Sequence, residues 1–304
     1  MLRIILIFLC SFILAGCADV PFGNFVDRNL EDGSGRNLVV WMLSDIHPQT
    51  EEDRKTFEVA VADVKNNVGS VDMAIVAGDL LKARSTASAF DWFMHVRSGS
   101  NILDWFQIAG NHDVRSGKIF YKYFPQPAYY AVEFGNLLFL FLSDQSVSSR
   151  TDISEDAFSW WQKMVGSYRD RIIVTVTHGQ LAGSGLLGSS LNSRVIGGSD
   201  RFETVLKNEH VALWVSGHTH LPQRLSGSVN VRKNLGGTCF LNVSSISDES
   251  FLDSESRILY FREGSDTVWI RSRNHTKKRF NEALDIPLQL GKKFIWQNER
   301  PQVL

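Results

Sequence analysis

The chain has 304 residues, of which 43% are hydrophobic and 21% are charged, and its formal net charge is -1. These proportions are those of an ordinary globular protein, so they exclude a disordered or fibrous chain. The net charge near zero gives no basic footprint for nucleic acid and no broad basic face for a membrane. We find no internal repeat and no linker-like stretch within the body of the chain, which predicts one large domain.

The amino terminus has the layout of a signal peptide. Arg3 gives a positive start, a nearly unbroken apolar run follows at Ile4 to Ala15, and small residues then lead to Cys17. The run is shorter than the roughly 20 apolar residues that a spanning helix needs, so a retained membrane helix is the weaker alternative. The segment Leu14-Ala15-Gly16-Cys17 resembles a bacterial lipobox. This resemblance implies lipidation of Cys17 and a lipid-anchored place in the cell envelope, on its periplasmic face, and Ala18 favours the outer membrane.

Composition divides the chain into four parts. The stretch that follows Cys17 is rich in Asp, Gly, Asn and Ser, which suits a flexible tether between a bilayer and a folded domain. We therefore expect a signal peptide at 1–16, a tether at 17–36, a folded domain at 37–274, and a C-terminal extension at 275–304 that packs on the domain or trails from it.

Strand and helix patterns alternate along the first half of the body. Short apolar runs predict strands at Leu38–Leu43, Met73–Ala77 and Trp105–Ala109, and helical spacing predicts helices at Thr50–Asn67 and Phe90–Val96. Thr50 and Asp53 are spaced as a helix cap. Two further strands, Tyr129–Phe134 and Leu137–Leu142, flank the turn residues Gly135 and Asn136 and predict a hairpin.

The second half repeats the scheme. Phe158, Trp161 and Val165 lie on one face of a predicted helix, and the predicted strands are Ile172–Thr177, Val211–Val215, Phe240–Val243, Ile258–Phe261 and Val268–Ile270. The pattern favours an α/β fold with two sheets. Residues 180–199 are dense in Gly and Ser without a period, so we expect a long loop, and such loops are usually functional, for example as lids.

Five of the predicted strands end in residue types that bind divalent metals. The segments are Asp45-Ile46-His47, Gly78-Asp79, Gly110-Asn111-His112-Asp113, Thr177-His178 and Gly217-His218-Thr219-His220. Loops at the carboxyl ends of strands form one crevice in α/β sheets, so these residues are expected to converge. Side chains two positions apart on a strand share a face, which pairs Asp45 with His47 and His218 with His220. Each segment alone is weak, but the five together predict a metal site.

The five segments together resemble the motifs of the calcineurin-like metallophosphoesterase family, over roughly Leu38 to Val243. The resemblance implies a two-sheet αββα sandwich and two divalent metal ions. One metal would be bound by Asp45, His47 and His220, the other by Asn111, His178 and His218, and Asp79 would bridge them. His112 would stay unligated as the catalytic histidine.

The residue types at this site suit manganese, iron or zinc, because carboxylate, imidazole and amide ligands are mixed. A metal pair of this kind activates a bridging hydroxide for attack on phosphorus, and His112 would protonate the leaving oxygen. Asp113 would orient His112, or would instead take part in a structural salt bridge. Arg84 and Arg115 follow ligand segments closely and are candidates to grip a phosphate, or are solvated surface charges.

These features predict a hydrolase of phosphate esters outside the cytoplasm, acting on a small-molecule or lipid-linked substrate that is a phosphodiester or a phosphomonoester. The alternative is a non-catalytic envelope lipoprotein that binds metal or ligand on the same fold. A serine hydrolase has no support, because the chain contains no Gly-x-Ser-x-Gly elbow. His95, His210 and His275 have no companion ligands, so we interpret them as structural or exposed.

Overall fold

The computed structural model describes residues 36–48, 50–145, 151–247 and 252–304. The first half contains β1 (Asn37–Leu43), α1 (Glu51–Asp63), a π-helical turn (Val64–Val68), β2 (Met73–Val76), α2 (Ala87–Ser98), β3 (Asp104–Gln107), α3 (Asn111–Val114), α4 (Lys118–Tyr123), β4 (Tyr129–Phe134) and β5 (Leu137–Leu142). The second half contains α5 (Glu155–Ser167), β6 (Ile172–Thr177), α6 (Ser199–Leu206), β7 (Leu213–Ser216), β8 (Val229–Arg232), β9 (Thr238–Asn242), β10 (Glu255–Arg262), β11 (Thr267–Asn274), β12 (Arg279–Phe280), a 3-10 turn (Glu282–Leu284), β13 (Ile286–Gln289) and β14 (Gln302–Val303).

The strands form two sheets. In the first sheet the order is β12-β11-β10-β1-β2-β3, with β13 also paired to β11, and in the second it is β14-β4-β5-β6-β7-β9-β8. β1, β2 and β3 run parallel, as do β5, β6, β7 and β9. β1 also pairs antiparallel with β10, from Asn37↔Arg262 to Met42↔Arg257. Each sheet therefore presents several parallel strand ends on one side, which is where loops that carry a site belong.

The two sheets pack on each other, and helices cover their outer faces. Val40 and Ile75 of the first sheet share one buried apolar cluster with Phe139 and Val174 of the second. On the outer face of the first sheet Trp41 packs with residues of α1, α2 and α4, and on that of the second sheet Trp214 packs with residues of α5 and α6. This is an αββα sandwich, and the two-sheet α/β fold predicted from the sequence is confirmed.

Local signals in the sequence act as expected at two elements. Thr50 accepts a hydrogen bond from the Asp53 amide and Asp53 accepts one from the Thr50 amide, which makes a capping box at the start of α1. β4 and β5 form the predicted antiparallel hairpin around Gly135 and Asn136. A Cβ on Gly135 would lie 2.0 Å from the Ile295 carbonyl oxygen, so contact with the C-terminal segment explains why glycine comes first in this turn.

The C-terminal segment 275–304 takes part in both sheets. β12 and β13 pair with β11, while β14 pairs with β4 across the other sheet. His275 is fully buried. None of the helices within the described ranges is long and apolar enough to cross a membrane. The signal peptide, Cys17 and the tether as far as residue 35 lie outside the described residues, so those expectations stay predictions.

Candidate metal centre

All five ligand-bearing segments lie at the carboxyl ends of parallel strands. Asp45 follows β1, Asp79 follows β2 and Asn111 follows β3 in the first sheet, whereas His178 follows β6 and His218 follows β7 in the second. The site therefore lies at one end of the sandwich, where the carboxyl ends of strands from both sheets come together, and each sheet contributes part of it. The structure brings six of the seven predicted ligands, all except Asn111, into two groups of three, whose ligand atoms lie within 4.8 Å of one another in each group.

The first group consists of Asp45, His47 and His220. The Nε2 atom of His220 lies 3.1 Å from Oδ1 of Asp45 and 3.3 Å from Nε2 of His47. His47 Nε2 lies 3.9 Å from the same Asp45 oxygen. Asp45 is fully buried, so its charge lies in a low-dielectric environment where a cation is strongly attracted.

The second group consists of Asp79, His178 and His218. His178 Nε2 lies 3.0 Å from Oδ2 of Asp79, and the His178 and His218 rings are 4.9 Å apart between centroids. His178 Nε2 also lies 4.0 Å from Asp45 Oδ1, which joins the two groups into one centre. The Nδ1 atom of His178 is 2.8 Å from the Ala77 carbonyl oxygen, so it carries the proton and leaves Nε2 to face Asp79.

Strand alternation does not position these side chains: Asp45 and His47 share a group as expected, but the expected pairing of His218 with His220 is wrong. β1 ends at Leu43 and β7 at Ser216, before the ligands begin. Asp45, Asp79, His218 and His220 all have positive φ angles, of 54°, 53°, 64° and 48°. Left-handed backbone is unfavourable for residues other than glycine, so the surrounding structure must hold each of these turns in a strained conformation. Backbone strain of this kind is common at functional sites. His218 and His220 consequently reach different groups.

Two glycines allow the loops to approach each other closely. A Cβ on Gly110 would lie 2.3 Å from Oδ1 of Asp79, and one on Gly217 would lie 2.0 Å from Oγ of Ser44 and 2.6 Å from Oδ2 of Asp45. Neither position has a positive φ angle, so the requirement is for space beside the carboxylates. Close approach to the carboxylates therefore accounts for glycine at these two positions.

The side chains present fit a pair of divalent cations. Asn111 is 4% exposed, and its Oδ1 atom has no hydrogen-bond partner within the described part of the chain. A buried carbonyl oxygen without a partner is costly unless a ligand uses it. Together with two aspartates and four histidines, it completes the mixed oxygen and nitrogen set that manganese, iron and zinc accept.

The charges in the centre also favour added positive charge. Burial acts to lower the pKa of His178, but the carboxylates of Asp79 and Asp45 outweigh it and raise that pKa well above its ordinary value. His178 is thus held beside two carboxylates that attract a cation. Burial lowers the pKa of His218 to about 4, with repulsion from His178 acting in the same direction, so His218 is a neutral imidazole near pH 7, as a metal ligand must be.

His112 lies beside the two groups and belongs to neither. Its ring stacks on that of His47 with centroids 5.0 Å apart and an angle of 6° between planes. Its backbone amide donates to Oδ1 of Asp79 at 2.8 Å, and its Nε2 lies 4.0 Å from Asp79 Oδ2. The side chain is 32% exposed, so it is open to a ligand approaching the centre.

Asp113 has a different position from the one expected. Its carboxylate accepts backbone hydrogen bonds from Leu80, Leu81 and Gly110, at 3.0 to 3.1 Å. The His112 Nδ1 atom has no hydrogen-bond partner among the described residues, so Asp113 does not orient that ring, and no salt bridge of Asp113 is seen there either. The Asp113 side chain points away from His112. Its hydrogen bonds instead join the Asp79 loop to the loop that carries Asn111.

The two arginine candidates differ in position. Arg115 is close enough to His112 to help lower the pKa of that histidine, although burial is the largest cause. Arg84 is exposed, has a positive φ of 62°, and makes no contact with the centre within the described ranges. Arg115 is therefore placed near the site, whereas Arg84 is not.

Sequence reasoning missed a third arginine. The guanidinium of Arg194 lies 3.4 Å from the His218 carbonyl oxygen, and the carbonyl oxygen of its neighbour Ser193 lies 3.0 Å from His218 Nε2. The loop 180–199 thus touches a predicted ligand directly. Its composition marked it as functional, but no motif singled out Arg194.

A buried acid next to the centre was also missed. Asp144 follows β5, is fully buried, and neither carboxylate oxygen has a hydrogen-bond partner in the described part of the chain. Its amide donates to the Ala109 carbonyl oxygen at 2.8 Å, two residues before Asn111. Burial raises the pKa of Asp144 well above its ordinary value. No sequence motif surrounds this residue, so only its environment identifies it.

Comparisons with known proteins agree with this fold. A dimetal phosphatase from Danio rerio superposes with a TM-score of 0.63 at 10% identity, over 83% of this chain and 99% of that one. A purple acid phosphatase from yellow lupin, PPD1, gives 0.60 at 14% identity, over 84% of this chain and 54% of that one. GAP50, the anchor in the inner membrane complex of Plasmodium, gives 0.57 at 14% identity, over 84% and 90%. At such identities the likeness shows the fold alone.

The sequence comparisons give the family. Among curated proteins no relative matches significantly. The family model described as calcineurin-like phosphoesterase matches residues 38–222, which include every predicted ligand and His112. That match spans more than half of the chain, and the motifs it covers form the two groups described above. The resemblance inferred from the motifs is confirmed, and the chain belongs to the calcineurin-like phosphoesterase family.

Proposed function

We propose that this protein hydrolyses phosphate esters, as a phosphodiesterase or a phosphomonoesterase, at a centre that holds two divalent cations. The observation that carries the proposal is the convergence of Asp45, His47 and His220 with Asp79, His178 and His218 beside a histidine that belongs to neither group. One cation would be held by each group, with Asn111 completing the second and Asp79 shared. Two such cations supply Lewis-acid activation of water and neutralisation of the phosphoryl oxygens.

The chain's own residues have distinct parts in this proposal. His112 faces the centre from outside, so it is placed to donate a proton to the leaving oxygen of an ester. Asp79 fixes the His112 backbone through the amide hydrogen bond at 2.8 Å. Asp113 positions the Asp79 loop through its backbone hydrogen bonds. Arg115 and Arg194 are candidates to bind the phosphate. Arg84 is no longer a candidate, because it makes no contact with the centre within the described ranges.

We further propose that hydrolysis takes place outside the cytoplasm, in a cell envelope, with the protein lipid-anchored at Cys17. The support is the signal-peptide layout and the lipobox resemblance of Leu14-Ala15-Gly16-Cys17. Replacing Cys17 with Ser should abolish incorporation of labelled fatty acid into the protein in expressing cells. A Cys17→Ser variant that still incorporates the label would contradict the anchor.

The enzyme activity is tested with the full-length chain in detergent. Hydrolysis of p-nitrophenyl phosphate and bis-p-nitrophenyl phosphate is measured with manganese, zinc or iron, and bound metal is counted by atomic emission. We expect metal-dependent turnover, and His112→Ala should reduce the rate by about 10² to 10⁴ without loss of metal. His95→Ala is the control, because His95 is an exposed histidine on α2.

Other outcomes would change the proposal. A folded protein that binds two metals and hydrolyses neither ester would favour the non-catalytic binding protein. If the protein binds no metal, the assignment of the metal ligands is wrong. The ratio of the two ester rates in an active protein separates a diesterase from a monoesterase.

A further inference from the structure

The surface beside the His218 end of the centre has an unusual composition. It is formed by residues 180–199 and 221–232, which we name the rim surface. Neither segment contains an Asp or a Glu, although the whole chain has 33 among 304 residues. The segments contribute three arginines, Arg194, Arg224 and Arg232, and three exposed leucines. They contain no Phe, Tyr or Trp.

Hydrogen bonds join the two segments into one surface. The Leu187 amide donates to the Gly227 carbonyl oxygen at 2.9 Å, and the Asn230 side chain donates to the Ser184 carbonyl oxygen at 2.8 Å. The same surface adjoins the centre, because Ser193 and Arg194 contact His218 at 3.0 and 3.4 Å. The segment 221–232 begins directly after His220.

The leucines on this surface are open to solvent. Leu187 is 48% exposed, Leu191 55% and Leu225 40%. Single exposed leucines are ordinary, but these three come from segments that are bonded to each other. Leu191 lies one turn before Arg194, whose amide donates to the Leu191 carbonyl oxygen at 2.8 Å. An exposed apolar side chain and a cation thus lie next to each other where the surface meets His218.

Charges of both signs lie near this surface. The Glu255 carboxylate accepts a hydrogen bond from the Gln223 amide at 2.7 Å, Glu203 lies beside Gly183, and Asp152 lies beside Gly197. Asp253 lies within electrostatic range of Arg224, but its carboxylate already accepts hydrogen bonds from Lys277 and Asn274. Arg194 and Arg232 have no ion-pair partner among the described residues. At the end nearest His218, the surface therefore offers the positive charge of Arg194 next to the exposed side chain of Leu191.

This combination discriminates between classes of phosphate ester. Nucleotides and single-stranded nucleic acids are usually bound by stacking bases on aromatic rings, and the rim surface has none. Aliphatic side chains instead suit alkyl chains, each covered methylene of which contributes to binding. An arginine close to the centre suits the phosphate that carries such a chain.

We propose that the rim surface binds the alkyl chain of an amphiphilic phosphate ester whose phosphate is held at the metal centre. This inference rests on the proposed function and narrows its substrate to esters with a long apolar chain. The phosphate would lie between the centre and Arg194, and the chain would follow Leu191 towards Leu187 and Leu225.

The test compares alkyl phosphates of increasing chain length, each below its micelle-forming concentration. With the full-length protein in a detergent-free nanodisc, we expect kcat/KM to rise about 3- to 4-fold for each methylene that the surface covers, and then to level off. Leu191→Ser and Leu225→Ser should flatten this rise. Calorimetry with the His112→Ala protein measures the affinities for dodecyl and butyl phosphate, and it makes the same comparison of chain lengths without turnover.

Val231→Ser is the matched control. Val231 is 44% exposed and lies on β8 between Asn230 and Arg232, whose side chains face the loop at Gly185. Because alternate residues of a strand point to opposite faces, Val231 points away from the loop 180–199. Its replacement should leave the chain-length dependence unchanged. Arg194→Gln should lower kcat/KM for all chain lengths by a similar factor.

Each contrary outcome has one meaning. If p-nitrophenyl phosphate is hydrolysed but neither rate nor affinity depends on chain length, the inference is wrong and the proposed function stands. If no ester is hydrolysed, the proposed function fails, and equal affinity for dodecyl and butyl phosphate would then also overturn the inference. If Leu191→Ser instead weakens sedimentation with phosphatidylglycerol vesicles and chain length has no effect, the surface docks on a bilayer and the substrate assignment is overturned.

Discussion

Two buried clusters of aspartate and histidine lie in this protein, and their polar atoms are satisfied in different ways. In the first, the Asp63 carboxylate accepts hydrogen bonds from Arg273, His275 and Asn67, at 2.5 to 2.9 Å. In the second, the metal centre, the Asn111 Oδ1 atom has no partner in the described structure. The first cluster is complete within the protein, whereas the second keeps a buried acceptor that no described residue satisfies.

In the Asp63 cluster, both ring nitrogens of His275 also have hydrogen-bond partners. His275 Nδ1 lies 2.9 Å from Asp63 Oδ2, and its Nε2 lies 2.7 Å from Oγ of Ser256, which accepts in turn from the Trp41 indole at 2.8 Å. The His275 ring therefore has no nitrogen left for a metal. The comparison teaches that burial and residue type do not distinguish a structural histidine from a ligand, but the supply of hydrogen-bond partners does.

The largest expected effect is on the metal centre. Replacing Asp79 with Asn should remove bound metal and lower phosphoesterase activity by more than about 100-fold, because even residues that only support ligands cost 10- to 100-fold. Metal content is measured by atomic emission, and circular dichroism checks that the variant is folded. An Asp79→Asn protein that retains both metals would remove Asp79 from the ligand set.

The Asp63 cluster should show the opposite response. Asp63→Ala leaves Arg273 and His275 buried without their carboxylate, which should lower the free energy of unfolding by about 3 to 5 kcal/mol. Urea unfolding measures this loss, and metal content should not change. Glu52→Ala on the same helix, which removes an exposed pair with Lys55, should change stability little. Loss of metal from a folded Asp63→Ala protein would contradict the separation of the two clusters.

Metal binding should stabilise the protein through the second cluster only. A divalent cation at 100 times its dissociation constant should raise the free energy of unfolding by about 2.7 kcal/mol for one site. The same increment is expected in Asp63→Asn and none in Asp79→Asn. Thermal unfolding with and without manganese measures it. If the Asp79→Asn protein gains as much stability as the unmodified one, the cation binds elsewhere.

The smallest effect concerns pH. Burial lowers the pKa of His275, with Asp63 acting against it and Arg273 acting with it. Since the folded pKa lies below the unfolded one, the stability from this group is present above about pH 6.5 and is lost as pH falls, by about 1.4 kcal/mol for each unit of difference. His275→Gln should show a shallower loss of stability between pH 7 and 5. Equal slopes for both proteins would show that His275 does not titrate in that range.

Much of the site was predictable because its residues follow strands in recognisable motifs. Each ligand comes directly after an apolar run, and the family match covers the same segments. The local signals at Thr50 and at Gly135 and Asn136 were equally readable. What these features share is that their physical cause lies within a few residues of the signal.

Features that depend on distant contacts were not predictable. Asp113 adjoins His112 in sequence, yet its carboxylate binds amides of the Asp79 loop, more than 30 residues away. Arg84 follows a ligand closely but is exposed, while Arg194 reaches His218 across a loop. Asp144 and the Asp63 cluster carry no motif at all. Side-chain direction and tertiary pairing decide these cases, and neither is encoded in local spacing.

The pairing of β1 with β10 also affects the order in which the chain can fold. Asn37 lies opposite Arg262, so β10, one of the two strands that pair with β1, is synthesised more than 200 residues after β1. Closing such a long loop is entropically slow, and sheets built from distant segments fold slowly for this reason. The first sheet therefore cannot be completed until synthesis has passed β10, and a chain still emerging from the ribosome lacks the strand that covers the edge of β1.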